Sequence, residues 1–285
     1  MAKIAFINGY VFNTENETFE KKNVVTENGY ILSIGSNIPS DSEIVDLDGK
    51  YLVPGLVDVH THGIGGYDFN DATKEQVEKM RMCYAKAGTT SVMATFASQT
   101  PDNLVKYVCE TNKNRNKDDG YANIIGIHIE GRYLNPAKKG AHSEKLLEKP
   151  RLDELDRLTE VMMPSPMHFS LAPELEGAEA FIKQIKKLGG TVGIAHTNAT
   201  YEESMDAISW GATSFTHTFN AMSAFSMAVQ SVPMIFTPRS VNGWARLMAV
   251  WPPKLAITPS GCSSRIMFIT SSAVRGSKYS LSEQV

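Results

Sequence analysis

The chain of 285 residues holds only three cysteines, Cys83, Cys109 and Cys262. They lie far apart, match no zinc spacing and cannot all pair, so neither a disulfide framework nor a cysteine-built metal site is expected. They read as buried, reduced thiols in a cytoplasmic protein. No apolar run approaches the roughly 20 residues of a membrane span. The opening "MAKIAFINGY" lacks the apolar stretch of a secretory signal, so no membrane association is expected. Neither sign of charge is in excess: 28 Lys and Arg face 31 Asp and Glu, a net charge of -3. That removes any electrostatic case for nucleic acid or an anionic membrane as partner. One shortage is local. No aspartate follows Asp206, and Glu283 is the only acidic residue in the last 79, against six Lys or Arg.

What is present is enough apolar sequence, 42% of residues, to bury a sizeable core. Residues 1–52 are β-rich. "KIAFINGYVFN", "NVVTENGYILSIG" and "SEIVDLDGKYLV" are strand-like runs broken by Asn-Gly, Ser-Asn and Asp-Gly turn signals, which predicts a small β domain. From residue 53 to 223 short apolar runs alternate with helical stretches. "LVPGLVDVH", "TSVMATFAS", "NIIGIHIEG", "MHFSLAPE", "TVGIAHTNA" and "SFTHTFNAM" read as buried strands, with amphipathic segments between them. One such segment places Phe181, Ile182, Ile185 and Leu188 on a single face. Six βα units predict an α/β fold, a (β/α)8 barrel incomplete after the sixth unit, with an open doubly wound sheet as the second choice. Residues 224–285 lose the rhythm. Prolines recur at 233, 238, 252, 253 and 259 without a sustained period, so this tail is expected to be atypical, the product of a frameshift or of mis-assembly. The coding sequence around the Ser223 codon tests that expectation.

Five of the seven histidines fall in or at the C-terminal end of a predicted strand. In a strand, residues i and i+2 share a face, so His60 and His62 of "DVHTHG" can both turn toward a barrel axis. The same parity puts His128 and Glu130 on one face. His196 and His217 end the fifth and sixth strands. The C-terminal strand ends form the active-site mouth of such folds, and imidazoles with one carboxylate there suit a divalent metal. His128 is open to a supporting role. His168 begins its strand, so it is expected to face the other rim and stay out of the chemistry.

"PGLVDVHTHG", "HIEG" with "LNPAKKGAH", "AHTNA" and "HTFNAM" together resemble the amidohydrolase superfamily, and within it the N-acetylglucosamine-6-phosphate deacetylase family. The resemblance covers about residues 1–223. It implies a catalytic divalent metal, zinc first and Fe, Mn or Co as alternatives, held by Glu130, His196 and His217. It implies that His60 and His62 match ligands of a second metal found in some members, so one or two ions per chain. Substrate contacts are implied at Ala141, His142, Asn220 and Ala221, and homodimers are common in the family. The implied reaction hydrolyses the N-acetyl group of an amino-sugar phosphate, N-acetylglucosamine 6-phosphate, giving glucosamine 6-phosphate and acetate. A bound metal would polarise the amide and lower the pKa of its water from about 15.7 toward about 7. The chain also departs from the pattern. The aspartate that ends strand eight in the family, and moves the proton, has no counterpart here, so no catalytic acid/base is identified. Arg132 replaces the usual proline beside the metal-ligand glutamate, as a neutral loop change or as a cation that disturbs Glu130. Two other readings stand beside the deacetylase. One is a cyclic-amide amidohydrolase, weakened because such relatives use a strand-four lysine that "MHFSLAPE" lacks. The other is an inactive remnant that binds metal or sugar phosphate without turnover.

Overall fold

The computed structural model describes residues 3–222, save 14 and 118, together with the backbone of 266–268. The first sheet comprises β1 (Lys3–Asn13), β2 (Thr18–Glu27), β3 (Tyr30–Gly35), β4 (Ser42–Asp46) and β5 (Tyr51–Val53). Its β2–β3 hairpin closes on Asn28 and Gly29, both at positive φ (54° and 86°), the backbone that a two-residue hairpin turn requires. The first Asn-Gly pair behaves otherwise. Asn8 and Gly9 lie inside β1, where the register against β2 shifts between Phe6 and Gly9, so the expected turn is a bulge. The bulge divides β1 between partners: its first half pairs with β4 and its second with β5. Ile4, Phe6, Val11, Val24, Leu47 and Leu52 fill the small core of this sheet.

The chain then enters β6 (Leu56–Thr61), makes the short hairpin of β7 (Gly63–Ile64) and β8 (Tyr67–Asp68), and begins α1 (Lys74–Lys86). After that, strands and helices alternate: β9 (Thr89–Phe96), α2 (Pro101–Asn112), β10 (Asn123–Glu130), α3 (Leu152–Met162), β11 (Met167–Leu171), α4 (Ala178–Lys187), β12 (Thr191–Ile194), α5 (Tyr201–Trp210) and β13 (Ser214–Phe215). The helices start where side chains cap their orphan amides. Thr73 and Thr200 each form a capping box, with Gln76 and Glu203, while Thr100 caps α2 ahead of Pro101. The six strands form one parallel sheet in the order β13-β12-β11-β10-β9-β6, a curled half-barrel. The fold is thus α/β, an incomplete (β/α)8 barrel preceded by β-sheet, and its strands occupy the six segments that the sequence pattern predicts. Phe181, Ile182 and Ile185 of α4 are fully buried against the strands, with Leu188 packed at their edge. A final strand, β14 (Ile266–Phe268), runs parallel to β5. Otherwise the expectation for residues 224–285 lies outside the described residues.

Two expectations need correction. The run that leads to the H-x-H pair is not a buried strand: Leu56, Val57 and Val59 are 53%, 42% and 44% exposed. The reason is position, because among the described residues β6 pairs with β9 alone. The cysteines are not buried either. Cys109 is exposed and Cys83 half-buried, both free, while Cys262 lies outside the described residues. Cys109 faces outward because Leu104, Val108 and Thr111 occupy the inner face of α2. Among the described residues no helix is long and apolar enough to cross a membrane.

Gly55 explains the Pro-Gly pair before β6. A Cβ there would stand 2.0 Å from Thr90 Cγ2 and 2.4 Å from Thr90 Oγ1, and a β-branched neighbour in a strand has little freedom to withdraw. Gly55→Ala is therefore expected to destabilise the protein by roughly 1–3 kcal/mol, read from urea unfolding. A change below about 0.5 kcal/mol would show that β6 and β9 are not held in close contact.

Candidate metal centre

Glu130 is the last residue of β10 and only 2% exposed. Its two carboxylate oxygens divide the surrounding imidazoles. Oε2 lies 2.9 Å from His62 Nε2 and 3.4 Å from His60 Nε2, both carried by or just past β6. Oε1 lies 2.8 Å from His217 Nε2 and 3.4 Å from His196 Nε2, and those two nitrogens are 3.0 Å apart. The parity reading of His60 and His62 therefore matches where their side chains lie. His196 and His217 differ in one respect. Each sits two residues past its strand, at φ 44° and 34°, in left-handed backbone. That conformation costs an L-residue roughly 1–2 kcal/mol, and it turns both rings back over the strand ends.

The donor set fits a divalent ion. Donors at about 2.0–2.1 Å from a tetrahedral ion are about 3.3 Å from one another, close to the Glu130, His196 and His217 spacings. The ring nitrogens add a second observation. His196 Nδ1 lies 2.8 Å from the Lys138 carbonyl, which can only accept, so the neutral ring carries its proton on Nδ1 and turns the Nε2 lone pair inward. His142 is the opposite case. Its Nδ1 accepts from the Ser98 amide at 3.3 Å and lies 2.9 Å from Ser98 Oγ. The neutral His142 ring thus keeps its proton on Nε2. His142 is near enough to Glu130 and His196 to belong to a common cluster, but as a hydrogen-bond donor.

The charges follow from this crowding. Burial pushes the Glu130 carboxyl up, but the ring of surrounding imidazoles outweighs it and holds the group well below the usual carboxylate range. The bond to Glu130 raises His62 and His217 in turn. Burial lowers His60, and lowers His142 to about 4.

His128 shares the inward face of β10 without joining the cluster. Its Nε2 is 2.7 Å from Ser170 Oγ and its Nδ1 is 3.3 Å from Thr95 Oγ1, while Ser170 Oγ continues to Thr216 Oγ1 at 2.6 Å. This layer of hydroxyls beneath the carboxylate went unread in the sequence, because single Ser and Thr residues in strands carry no signal of their own. His168 stacks edgewise on His128 at 4.5 Å and bonds Thr191 Oγ1 at 2.8 Å, apart from Glu130. Of the positions implied for substrate, Ala141 and Asn220 are exposed and His142 and Ala221 half-buried, all on loops at the mouth. The Ala221 carbonyl accepts from the Thr197 amide at 3.1 Å, joining the two loops that hold His196 and His217.

Arg132 points away from Glu130. Its guanidinium donates to Glu154 at 2.6 and 3.4 Å and to the carbonyls of Gln99 and Leu146, and Tyr133 adds its hydroxyl to Glu154. The cation is neutralised on the outer side of the loop, so it does not disturb the cluster. Arg132 also stands at φ 65°, which proline cannot adopt. Arg132→Lys, which keeps the charge and loses the fork, is expected to cost about 1–2 kcal/mol of stability and leave metal affinity unchanged. A loss of metal affinity with unchanged urea unfolding would contradict this account.

A half-barrel of parallel strands whose C-terminal ends gather imidazoles around one carboxylate defines a class, the barrel proteins of the metal-centred hydrolase type. The chain belongs to the amidohydrolase family, whose profile matches residues 51–260. That match runs past the end of the recognisable motifs near Ser223. Among curated relatives, the chain is 28% identical over 207 residues to an N-acetylglucosamine-6-phosphate deacetylase of Lysinibacillus sphaericus, covering 72% of this chain and 54% of the relative. It is 27% identical over 210 residues to an N-acetylgalactosamine-6-phosphate deacetylase of Escherichia coli O157:H7, covering 70% and 56%. Among solved structures it resembles the N-acetyl-D-glucosamine-6-phosphate deacetylase of Mycobacterium smegmatis, an aspartate-to-alanine variant in complex with N-acetyl-D-glucosamine-6-phosphate. There the TM-score is 0.69 at 28% identity, covering 79% of this chain and 57% of that one. The chain thus spans little more than half the length of these relatives.

Proposed function

We propose that the protein binds a divalent metal through Glu130, His196 and His217 and is built for hydrolysis of the N-acetyl group of N-acetylglucosamine 6-phosphate. The observation that carries this reading is the Glu130 carboxylate ringed by four imidazole nitrogens within 3.4 Å. Zinc is the proposed ion, since imidazole and carboxylate donors in a four-coordinate set suit it. His60 and His62 are proposed to hold a second ion where two are bound. When bound, the metal supplies a polarised amide carbonyl and an activated water. The chain's own residues orient the substrate: His142 offers its Nε2–H toward the acetyl oxygen, and Asn220 and Ala221 meet the sugar phosphate from the loop after β13. Free thiols at Cys83 and Cys109 support a cytoplasmic setting.

A second reading rests on a different observation. No aspartate follows Asp206, so this chain lacks a counterpart for the family's proton carrier. On that reading the protein binds metal and sugar phosphate without turnover. The deciding experiment measures acetate release from N-acetylglucosamine 6-phosphate and from its galactosamine epimer, before and after chelation and metal return. Activity that survives chelation would end the metal-centred proposal. Zinc-dependent release favours the deacetylase, and phosphate-sugar binding without release favours the remnant.

A further inference from the structure

Glu174 lies three residues past β11, half-buried, at the end of the "LAPE" segment. Its carboxylate collects donors from two other loops. Oε1 accepts from Asn135 Nδ2 at 2.9 Å and from the Asn198 amide at 2.7 Å, and Oε2 accepts from the Thr197 hydroxyl. These donors bracket His196. The Asn135 amide donates to the His196 carbonyl at 3.0 Å, and Thr197 and Asn198 are the next two residues of the chain. The Thr197 amide then reaches the Ala221 carbonyl, on the loop that also carries His217. One side chain therefore ties the loops after β10, β11 and β12 together around a histidine held at φ 44°. Left-handed backbone at a residue other than glycine persists only where its surroundings over-determine it. Glu174 and its donors supply much of that determination.

We infer that Glu174 is a positioning residue, which holds the His196 backbone so that its imidazole Nε2 faces Glu130. The inference rests on the reading of His196 as a metal ligand. It acts through hydrogen-bond geometry rather than through the net charge of the carboxylate. A glutamine keeps an oxygen for Asn135 and Asn198, and its amide can donate to the Thr197 hydroxyl, which rotates to accept. An alanine keeps none of these bonds.

The test measures zinc affinity of the full chain by competition with a chromophoric chelator, alongside thermal unfolding in the metal-free state. Glu174→Ala is expected to weaken zinc by about 10–100-fold, as loss of a residue that orients a ligand does, while Glu174→Gln stays within about threefold of the parent. In a His196→Ala background, Glu174→Ala should add no further loss, because its effect passes through the missing ring. An unchanged affinity for Glu174→Ala, an equal loss for Glu174→Gln, or an undiminished loss in the His196→Ala background would each overturn the inference. If Glu174→Ala does not fold, Thr197→Val removes a single link and should still weaken zinc, and unchanged affinity there overturns the inference equally. Parental affinity in His196→Ala itself would instead overturn the metal-centre reading.

Discussion

Glu130→Gln is expected to leave the protein almost without retained metal after dialysis, while His168→Asn retains as much as the parent. Both residues are buried and both lie on inward-facing strands, so burial alone does not distinguish them. Surroundings do. The four nitrogens that approach Glu130 come from three segments, the end of β6 and the loops after β12 and β13, and each meets one of its two oxygens, so the carboxylate is the common member of the set. A neutral amide offers a weaker oxygen and no charge to offset the cation, and places a competing N–H where the second oxygen stood. The expected loss exceeds about 100-fold in affinity, beyond what removal of an outer partner costs. His168 is occupied with Thr191 and His128, and burial holds its ring near a pKa of about 4, so it is neutral at pH 7 and engaged elsewhere. Equal metal content in the two variants by elemental analysis would remove Glu130 from the site.

The second large effect concerns rate. If the 285-residue chain turns over N-acetylglucosamine 6-phosphate at all, its kcat is expected to fall about 10²–10⁴-fold below that of a full-length relative assayed with the same metal. Hydrolysis of an amide requires a proton to leave the attacking water and reach the departing nitrogen. Near the cluster the candidates for that task are already committed: Glu130 lies among the imidazoles, and the His142 ring receives the Ser98 amide on Nδ1. These 285 residues hold no aspartate after Asp206 to take the place. Turnover within about tenfold of the relative would mean that another group of this chain carries the proton efficiently.

The parts of the site that follow from alternation were legible in the sequence. His60 and His62 share a face because strand geometry repeats every two residues, and Glu130 falls inward beside His128 for the same reason. The helix faces, such as Phe181, Ile182 and Ile185, follow from the 3.6-residue period. What escaped has no period. Glu174 and Ser98 act through contacts between segments separated by tens of residues, and nothing local in "LAPE" or "FAS" announces them. Asn8-Gly9 carries the same dipeptide signal as Asn28-Gly29 but becomes a bulge within β1, which pairs with β2 and divides its remaining pairing between β4 and β5. The exposure of Leu56, Val57 and Val59 is likewise set by which strand lies at the edge, a property of the whole sheet. Arg132 was ambiguous until Glu154, 22 residues away, showed where its charge goes.

The position of β6, at the edge of the sheet among the described residues, also has a bearing on time. Amides in a strand bonded on one side open to solvent through smaller fluctuations than those in a strand bonded on both, as β10 is by β9 and β11. The carboxylate stands on a strand bonded on both sides and the H-x-H pair on one bonded, among the described residues, on one side. The β6 amides are therefore expected to exchange faster than those of β10, and equal protection of the two strands in hydrogen exchange would contradict this.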